Sequence, residues 1–217
     1  MNIVFGAGGV AREVAWMLRE TSRRGEHDPD VSAFVVADAD WLSDQHLDNA
    51  PIISESGFFR QYSREPVRMF LAFGMPDIKR RVFSSLRAKV VGSFPNLIHP
   101  KSTMDDKSGK VTLGEGNIVY PGVSLTTEIG IGSFVHINPG VTVGHECRIG
   151  DFTTLCPGAH ISGRVVLGEG CFIGAGAVIK EGLNIASNCL IGAGAVVIKS
   201  TTESGVWAGV PARKLMP

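Results

Sequence analysis

From Val111 to Ser200 the chain reads VTLGEG NIVYPG VSLTTE IGIGSF VHINPG VTVGHE CRIGDF TTLCPG AHISGR VVLGEG CFIGAG AVIKEG LNIASN CLIGAG AVVIKS, a repeat of six residues without a break. The third position of every six is aliphatic, from Leu113 through Ile161 to Val197. A period of six fits neither an amphipathic helix at 3.6 residues per turn nor a hairpin meander. It predicts a solenoid of very short strands with a corner after each. A slower rhythm sets the coil: Gly122, Gly140, Gly158, Gly176 and Gly194 lie 18 apart, and Pro121, Pro139 and Pro157 precede the first three. Three sixes make one three-sided coil, so about five coils fit the stretch, with equivalent positions stacked about 4.8 Å apart.

Corner and core chemistry agree with that geometry. Proline has no N–H to give to the ladder between coils and glycine accepts positive φ, so a Pro-Gly column suits a corner and would damage a strand. First positions such as Val123, Val141, Cys147, Ala159 and Cys171 are small or apolar, so two inward residues per side fill a narrow core. Cys147, Cys171 and Cys189 share that position and read as small, reduced core residues, since no CxxC pair is present.

The preceding residues read differently. Residues 2 to 5 form a short buried strand. Gly6-Ala7-Gly8-Gly9-Val10-Ala11 then leads into a helix carrying Ala15, Trp16 and Leu18, a GxGxxA turn that lets a phosphate approach a helix N-terminus. Ala33 to Val36 reads as a second strand with Asp38 just past its end, and Ser22 to Asp30 as a polar inserted loop. A third strand, Met69 to Phe73, ends at Gly74, and Asp77 caps a helix running to about Leu86. The order βαβαβ predicts a small Rossmann-like parallel sheet with ligands at the carboxyl ends of its strands. The same pattern also suits a packing domain that binds nothing. An NAD-dependent oxidoreductase is disfavoured, because the β-helix consumes the length a dehydrogenase catalytic domain would need.

Composition narrows the function classes. The 217 residues carry 21 Lys plus Arg against 21 Asp plus Glu, which gives no basic field for nucleic acid or an anionic membrane. The start lacks the n- and h-regions of a signal peptide and no apolar run approaches eighteen residues, so a cytoplasmic protein without a membrane span is expected.

The candidate base is His145, in the fifth place of its six, a corner position outside the core. Its column reads Thr127, His145, Gly163, Glu181, Lys199, so Gly163 lies one coil above the imidazole and lets a ligand come close to the backbone. That pairing suits direct acyl transfer, with a base for the attacking amine or hydroxyl and a backbone N–H for the oxyanion. Glu146 either orients the ring or pairs with Arg164 in the next coil. His136 and His160 sit on different sides and make no metal pair within one chain.

The repeat, the FPNLIHP link (94–100) and the terminal VWAGVPARK segment (206–214) together resemble the hexapeptide-repeat sugar acetyltransferases, the family of the bacillosamine N-acetyltransferases and sialic acid O-acetyltransferases. The resemblance implies a left-handed parallel β-helix over residues 99–200, preceded by a Rossmann-like nucleotide-sugar domain over 1–98 and followed by a coenzyme A-binding tail or cap over 201–217. It implies a homotrimer with active sites between β-helices, and the adjacent outward apolar pairs Phe172 with Leu190 and Val178 with Val196 are compatible with such an interface. It implies catalysis by His145 with Glu146, acetyl-CoA contacts at Gly163, Ala175, Ala193, Arg213 and Lys214, and substrate contacts at Gly6, Gly8, Asp38, Gly74 and Asn138, with no metal. Val10 and Thr154 stand where relatives carry histidines. The expected function is acetyl-CoA-dependent N-acetylation of a nucleotide-linked deoxyamino sugar in surface-glycan biosynthesis. The alternatives are a sugar or sialic acid O-acetyltransferase and, remotely, a β-helix metalloenzyme of carbonic anhydrase type.

Overall fold

The computed structural model describes residues 1–22, 30–105 and 108–215. Most of the polar stretch read as an inserted loop lies outside them. The chain divides into two compact units, Met1–Gly74 with Ile78–Leu97, and Met75–Asp77 with Ile98–Pro217.

The first unit is built on β1 (Asn2–Phe5), whose four residues are all buried. It is flanked in parallel by β2 (Val31–Val36) on one side and by a later strand, Val67–Leu71, on the other. Helix α1 (Gly9–Ser22) packs Ala11, Val14, Ala15 and Leu18 inward; Trp16 points to the solvent side and is 39% exposed. After β2 the sequence reading passes over three elements: β3 (His46–Leu47), β4 (Ala50–Ser54) and α2 (Glu55–Tyr62). Strand β4 adds in parallel to β2, and β3 turns back antiparallel on β4. The start of α2 follows from its sequence, because the Ser54 hydroxyl accepts the Gly57 N–H as an N-cap. The Val67–Leu71 strand is therefore β5, not the third strand. Helix α3 (Pro76–Leu86) begins one residue before Asp77, which lies in its first turn and not at the cap. Proline is favoured at a first helical position because its missing N–H has no partner there. Strand β6 (Gly92–Ser93) completes the order β3-β4-β2-β1-β5-β6.

The second unit is a three-faced parallel β-helix. Ile118–Val119, His136–Ile137, Thr154–Leu155 and Phe172–Ile173 stack on the first face. Ser124–Leu125, Thr142–Val143, His160–Ile161 and Val178–Ile179 stack on the second. The third carries Val111–Leu113, Ile129–Ile131, Arg148–Ile149 and Val166–Leu167. Every pairing within the regular repeat keeps the 18-residue offset, and the third-position residues from Val119 to Val197 are all buried. Two first positions are polar, and both are satisfied: Asn117 accepts the Val135 N–H, and the Thr153 hydroxyl accepts from Cys171 and donates to the Gly168 carbonyl. The core thiols of Cys147 and Cys171 donate to the Ser162 and Ala186 carbonyls.

Pairing extends beyond the regular repeat at both ends. Thr103–Met104 pairs beneath Ser124–Leu125 at an offset of 21, so three extra residues hide this coil from an 18-residue search. At the other end Gly205–Gly209 pairs in parallel with Cys189–Ile191 at an offset of 16, then Ala212–Lys214 returns antiparallel on it. The tail is thus a hairpin that prolongs the first face. The Thr201 hydroxyl, accepting the Ala186 N–H, ties its beginning to the last coil.

The sixth position of each six carries the corner. From Gly116 to Gly194 every one has positive φ, including the non-glycine residues Glu128, Phe134, Glu146, Phe152, Arg164 and Asn188 at 57–60°. The Pro-Gly column is one case of this rule.

Candidate active site

His145 sits on the corner between the second and third faces, just after Thr142–Val143 and before Arg148–Ile149. Its Nδ1 lies 2.8 Å from Glu146 Oε2, and both side chains are 48% exposed. With the Nδ1 proton donated to the carboxylate, the neutral ring carries its lone pair on Nε2, the form a general base needs. A β-carbon placed on Gly163 would stand 2.6 Å from that Nε2, so only glycine leaves room for the ring on this path. Glu146 reaches back because its φ of 60° turns its side chain onto the corner.

Arg164, one coil above, resolves the ambiguity over Glu146. Its Nη1 stands 4.0 Å from Glu146 Oε2, while Nη2 pairs with Glu181 Oε1. Glu146 therefore serves histidine at short range and arginine at long range. Beside this corner, Ser124, Thr126, Thr142, His160 and Ser162 line a shallow cleft of about 280 Å³ reaching Gly144. His160 Nδ1 is 2.9 Å from the Thr142 hydroxyl. His136 and Thr154 are buried on the first face. Among the described residues no group of three His, Cys, Asp or Glu side chains is close enough to hold a metal ion.

The remaining β-helix candidates do not join this cluster within one chain. Asn138, Ala175 and Ala193 stand on the corner between the first and second faces. Asn138 Nδ2 donates to the Leu155 carbonyl at 2.7 Å, which accounts for one of its donors structurally. Ala175 and Ala193 lead up that corner toward the hairpin turn at Gly209, because Ile191 pairs with Trp207. Arg213 and Lys214 lie on the returning strand. Lys214 Nζ is held by Glu203 at 2.8 Å, and Arg213 Nη1 donates to the Ala212 carbonyl.

In the first unit a cleft of about 570 Å³ opens at the carboxyl ends of β1 and β2, with Phe5, Gly6, Val36 and Phe73 on its walls and Asp40, Glu55 and Arg81 as its charged groups. Gly6 has a φ of 112° and lies 3.1 Å, at its would-be β-carbon, from the Ala72 carbonyl, so the turn needs glycine. Gly8 is exposed at the start of α1, and neither Gly8 nor Gly74 lines the cleft. Asp38 does not line it either. Its carboxylate accepts the Ser56 N–H at 2.9 Å at the start of α2, and that bond holds it below its usual range. The acid facing the cleft is Asp40, two residues on. The run from Pro51 to Ser54, an apolar pair followed by an N-cap serine, was the signal for the helix that claims Asp38.

The model of the bacterial transferase hexapeptide (six repeats) matches residues 147–181 and 164–199. The chain is 30% identical to PerB from Caulobacter crescentus, solved in complex with CoA and GDP-perosamine, with a TM-score of 0.83 over 99% of this chain and 97% of that one. It is 29% identical to WeeI from Acinetobacter baumannii, with a TM-score of 0.86 over 99% of both chains. It is 27% identical to the acetyltransferase domain of PglB from Neisseria gonorrhoeae, solved in complex with acetyl coenzyme A, with a TM-score of 0.84 over 99% of this chain and 98% of that one. No curated protein matches the sequence.

Proposed function

Because the chain belongs to the left-handed β-helix sugar N-acetyltransferases of the hexapeptide-repeat class, we propose that it transfers an acetyl group from acetyl-CoA to the amino group of a nucleotide-linked deoxyamino sugar. The observation that carries this reading is the corner where His145 Nδ1 is fixed by Glu146 and Nε2 faces Gly163, within a fold shared along almost the whole chain with a protein that binds CoA and GDP-perosamine.

The chemistry follows from the ring's orientation. The sugar amine attacks the thioester carbonyl while His145 Nε2 takes its proton, and the Gly163 N–H steadies the developing oxyanion. The tetrahedral intermediate then expels the CoA thiolate, which receives the proton back from His145. Glu146 holds the tautomer and stabilises the imidazolium between the two transfers.

The two groups of candidates on separate corners suit a homotrimer. Ala175, Ala193 and Arg213 of one copy face a neighbouring copy's His145 corner, and acetyl-CoA lies in the cleft between them. Phe172, Leu190, Val178 and Val196 are partly covered within a single chain and supply apolar surface for that contact. The cleft of the first unit takes the nucleotide, with Gly6 at the phosphates and Asp40 as the acid facing it. A nucleotide sugar and acetyl-CoA are both cytoplasmic metabolites, which supports a cytoplasmic reaction in surface-polysaccharide assembly. Among the described residues no helix is long and apolar enough to cross a membrane.

The test is a product assay with acetyl-CoA and GDP-perosamine, read by mass spectrometry. An acetylated product stable to hydroxylamine is the expected amide. A hydroxylamine-labile product would be an ester and would make the chain an O-acetyltransferase.

A further inference from the structure

The His145–Glu146 pair is one end of a longer ladder. Glu146 Oε2, which accepts from His145, also faces Arg164 Nη1 at 4.0 Å, and Arg164 is drawn the other way by Glu181. Arg164 occupies the left-handed region at φ 57°, a conformation that glycine meets at eight of the fourteen equivalent corners from Gly116 to Gly194. Here the corner carries instead the one side chain able to span two carboxylates.

We propose that Arg164 is a positioning residue that sets the proton affinity of His145 through Glu146, and that Glu181 fixes how strongly it does so. The inference rests on His145 being the base. An unopposed Glu146 would raise the proton affinity of the imidazole and leave more of it protonated, unable to accept a proton. An arginine seated fully on Glu146 would draw the carboxylate off Nδ1 and lower that affinity too far. Glu181 holds Arg164 between these limits, close enough to temper the charge of Glu146 but outside hydrogen-bond distance of it. Several other charges near the corner have partners of their own. Glu128, one coil below Glu146, pairs with Lys110 at 3.4 Å. Asp105 accepts from Thr127, directly below His145. Arg148 donates to the Glu128 and Cys147 carbonyls, and Lys199 lies one coil above Glu181.

The experiment is an NMR titration of the histidine ring signals in the full chain, assigned with H145Q, for the wild type, R164Q, E181Q and the double variant. The pH profile of kcat/KM with acetyl-CoA and GDP-perosamine accompanies it. In R164Q the His145 midpoint rises by about 0.5 pH unit, and R164K, which keeps the charge but cannot span both carboxylates, restores it only in part. In E181Q it falls by a few tenths of a unit, because released Arg164 closes on Glu146. The double variant titrates like R164Q, since Glu181 acts only through Arg164. All shifts shrink in about 0.5 M salt. The acid limb of kcat/KM moves with each midpoint. Midpoints unchanged in R164Q, or an E181Q shift that persists without Arg164, overturn the proposal. The expected titrations in a protein that acetylates no acceptor uphold the ladder and sink the assigned reaction instead.

Discussion

At the scale of single residues, the site separates chemistry from folding. His145 is half exposed on a corner, so His145→Ala removes the proposed base without opening the core. Turnover is expected to fall by roughly 10² to 10⁴ with an unchanged melting temperature. Gly163→Ala tests the same site from the other side. Gly163 is not in the left-handed region, so its backbone accepts alanine, but the new methyl would stand 2.6 Å from His145 Nε2. The ring must move, and a comparable loss of turnover in a folded protein is expected; wild-type rates in either variant would send the proton elsewhere. Cys171 gives a prediction for pH. Burial pushes its thiol up to about 11 from 9.0, against the opposing pull of the Cys189 backbone N–H. The folded state therefore favours the protonated thiol, and its contribution is full below pH 9.0 and fades as pH rises toward about 11. The melting temperature should fall over that window, and less steeply in Cys171→Ala.

At the scale of elements, the repeat was legible because each six presents an aliphatic third position and the offset of 18 keeps it in one column. Its limits were not, because the coil at Thr103–Met104 is offset by 21 and the hairpin strand by 16. The pairing persists where the period does not, since backbone hydrogen bonds tolerate a longer or shorter corner that a periodicity search rejects. The first unit shows the opposite failure. Its glycine turn was readable, but the carboxylate expected at the ligand was claimed by the N-terminus of α2, and a helix of eight residues was too short to stand out. Asp40, Glu55 and Arg81 meet only through the sheet, and no spacing announces that. Two substitutions test the coil geometry. Gly176 has φ 65° with open space around it, so Gly176→Ala should cost about 1 kcal/mol of strain alone. Gly174→Ala would place its methyl 2.5 Å from the Ala193 backbone nitrogen and should cost more, about 2–3 kcal/mol, by denaturant midpoint. Equal costs would mean that the coils separate readily. Ile161→Asp places a charge in the coil core and should abolish cooperative melting.

At the scale of the whole molecule, the proposed function assigns one ligand to each unit, and thermal stability tests both assignments. A ligand that binds only the folded state stabilises it by about 2.7 kcal/mol at a hundredfold excess over its Kd. Acetyl-CoA should raise the melting temperature through the β-helix, and its effect should depend on protein concentration if neighbouring copies complete the cleft. Dilution that dissociates a trimer would then remove the acetyl-CoA shift before it removes any shift due to a nucleotide bound in the first unit alone. GDP should stabilise independently, and Asp40→Asn should weaken that effect while leaving the acetyl-CoA shift intact, because Asp40 lines clefts of the first unit. Asp38→Asn should do less to GDP binding than Asp40→Asn, since Asp38 is spent on the Ser56 N–H. The reverse order would return the ligand's acid to Asp38 and overturn the assignment of Asp40. Stabilisation by acetyl-CoA with no response to any nucleoside diphosphate would keep the transferase chemistry of the His145 corner and remove the nucleotide from the acceptor, leaving a free amino sugar as the substrate to assay.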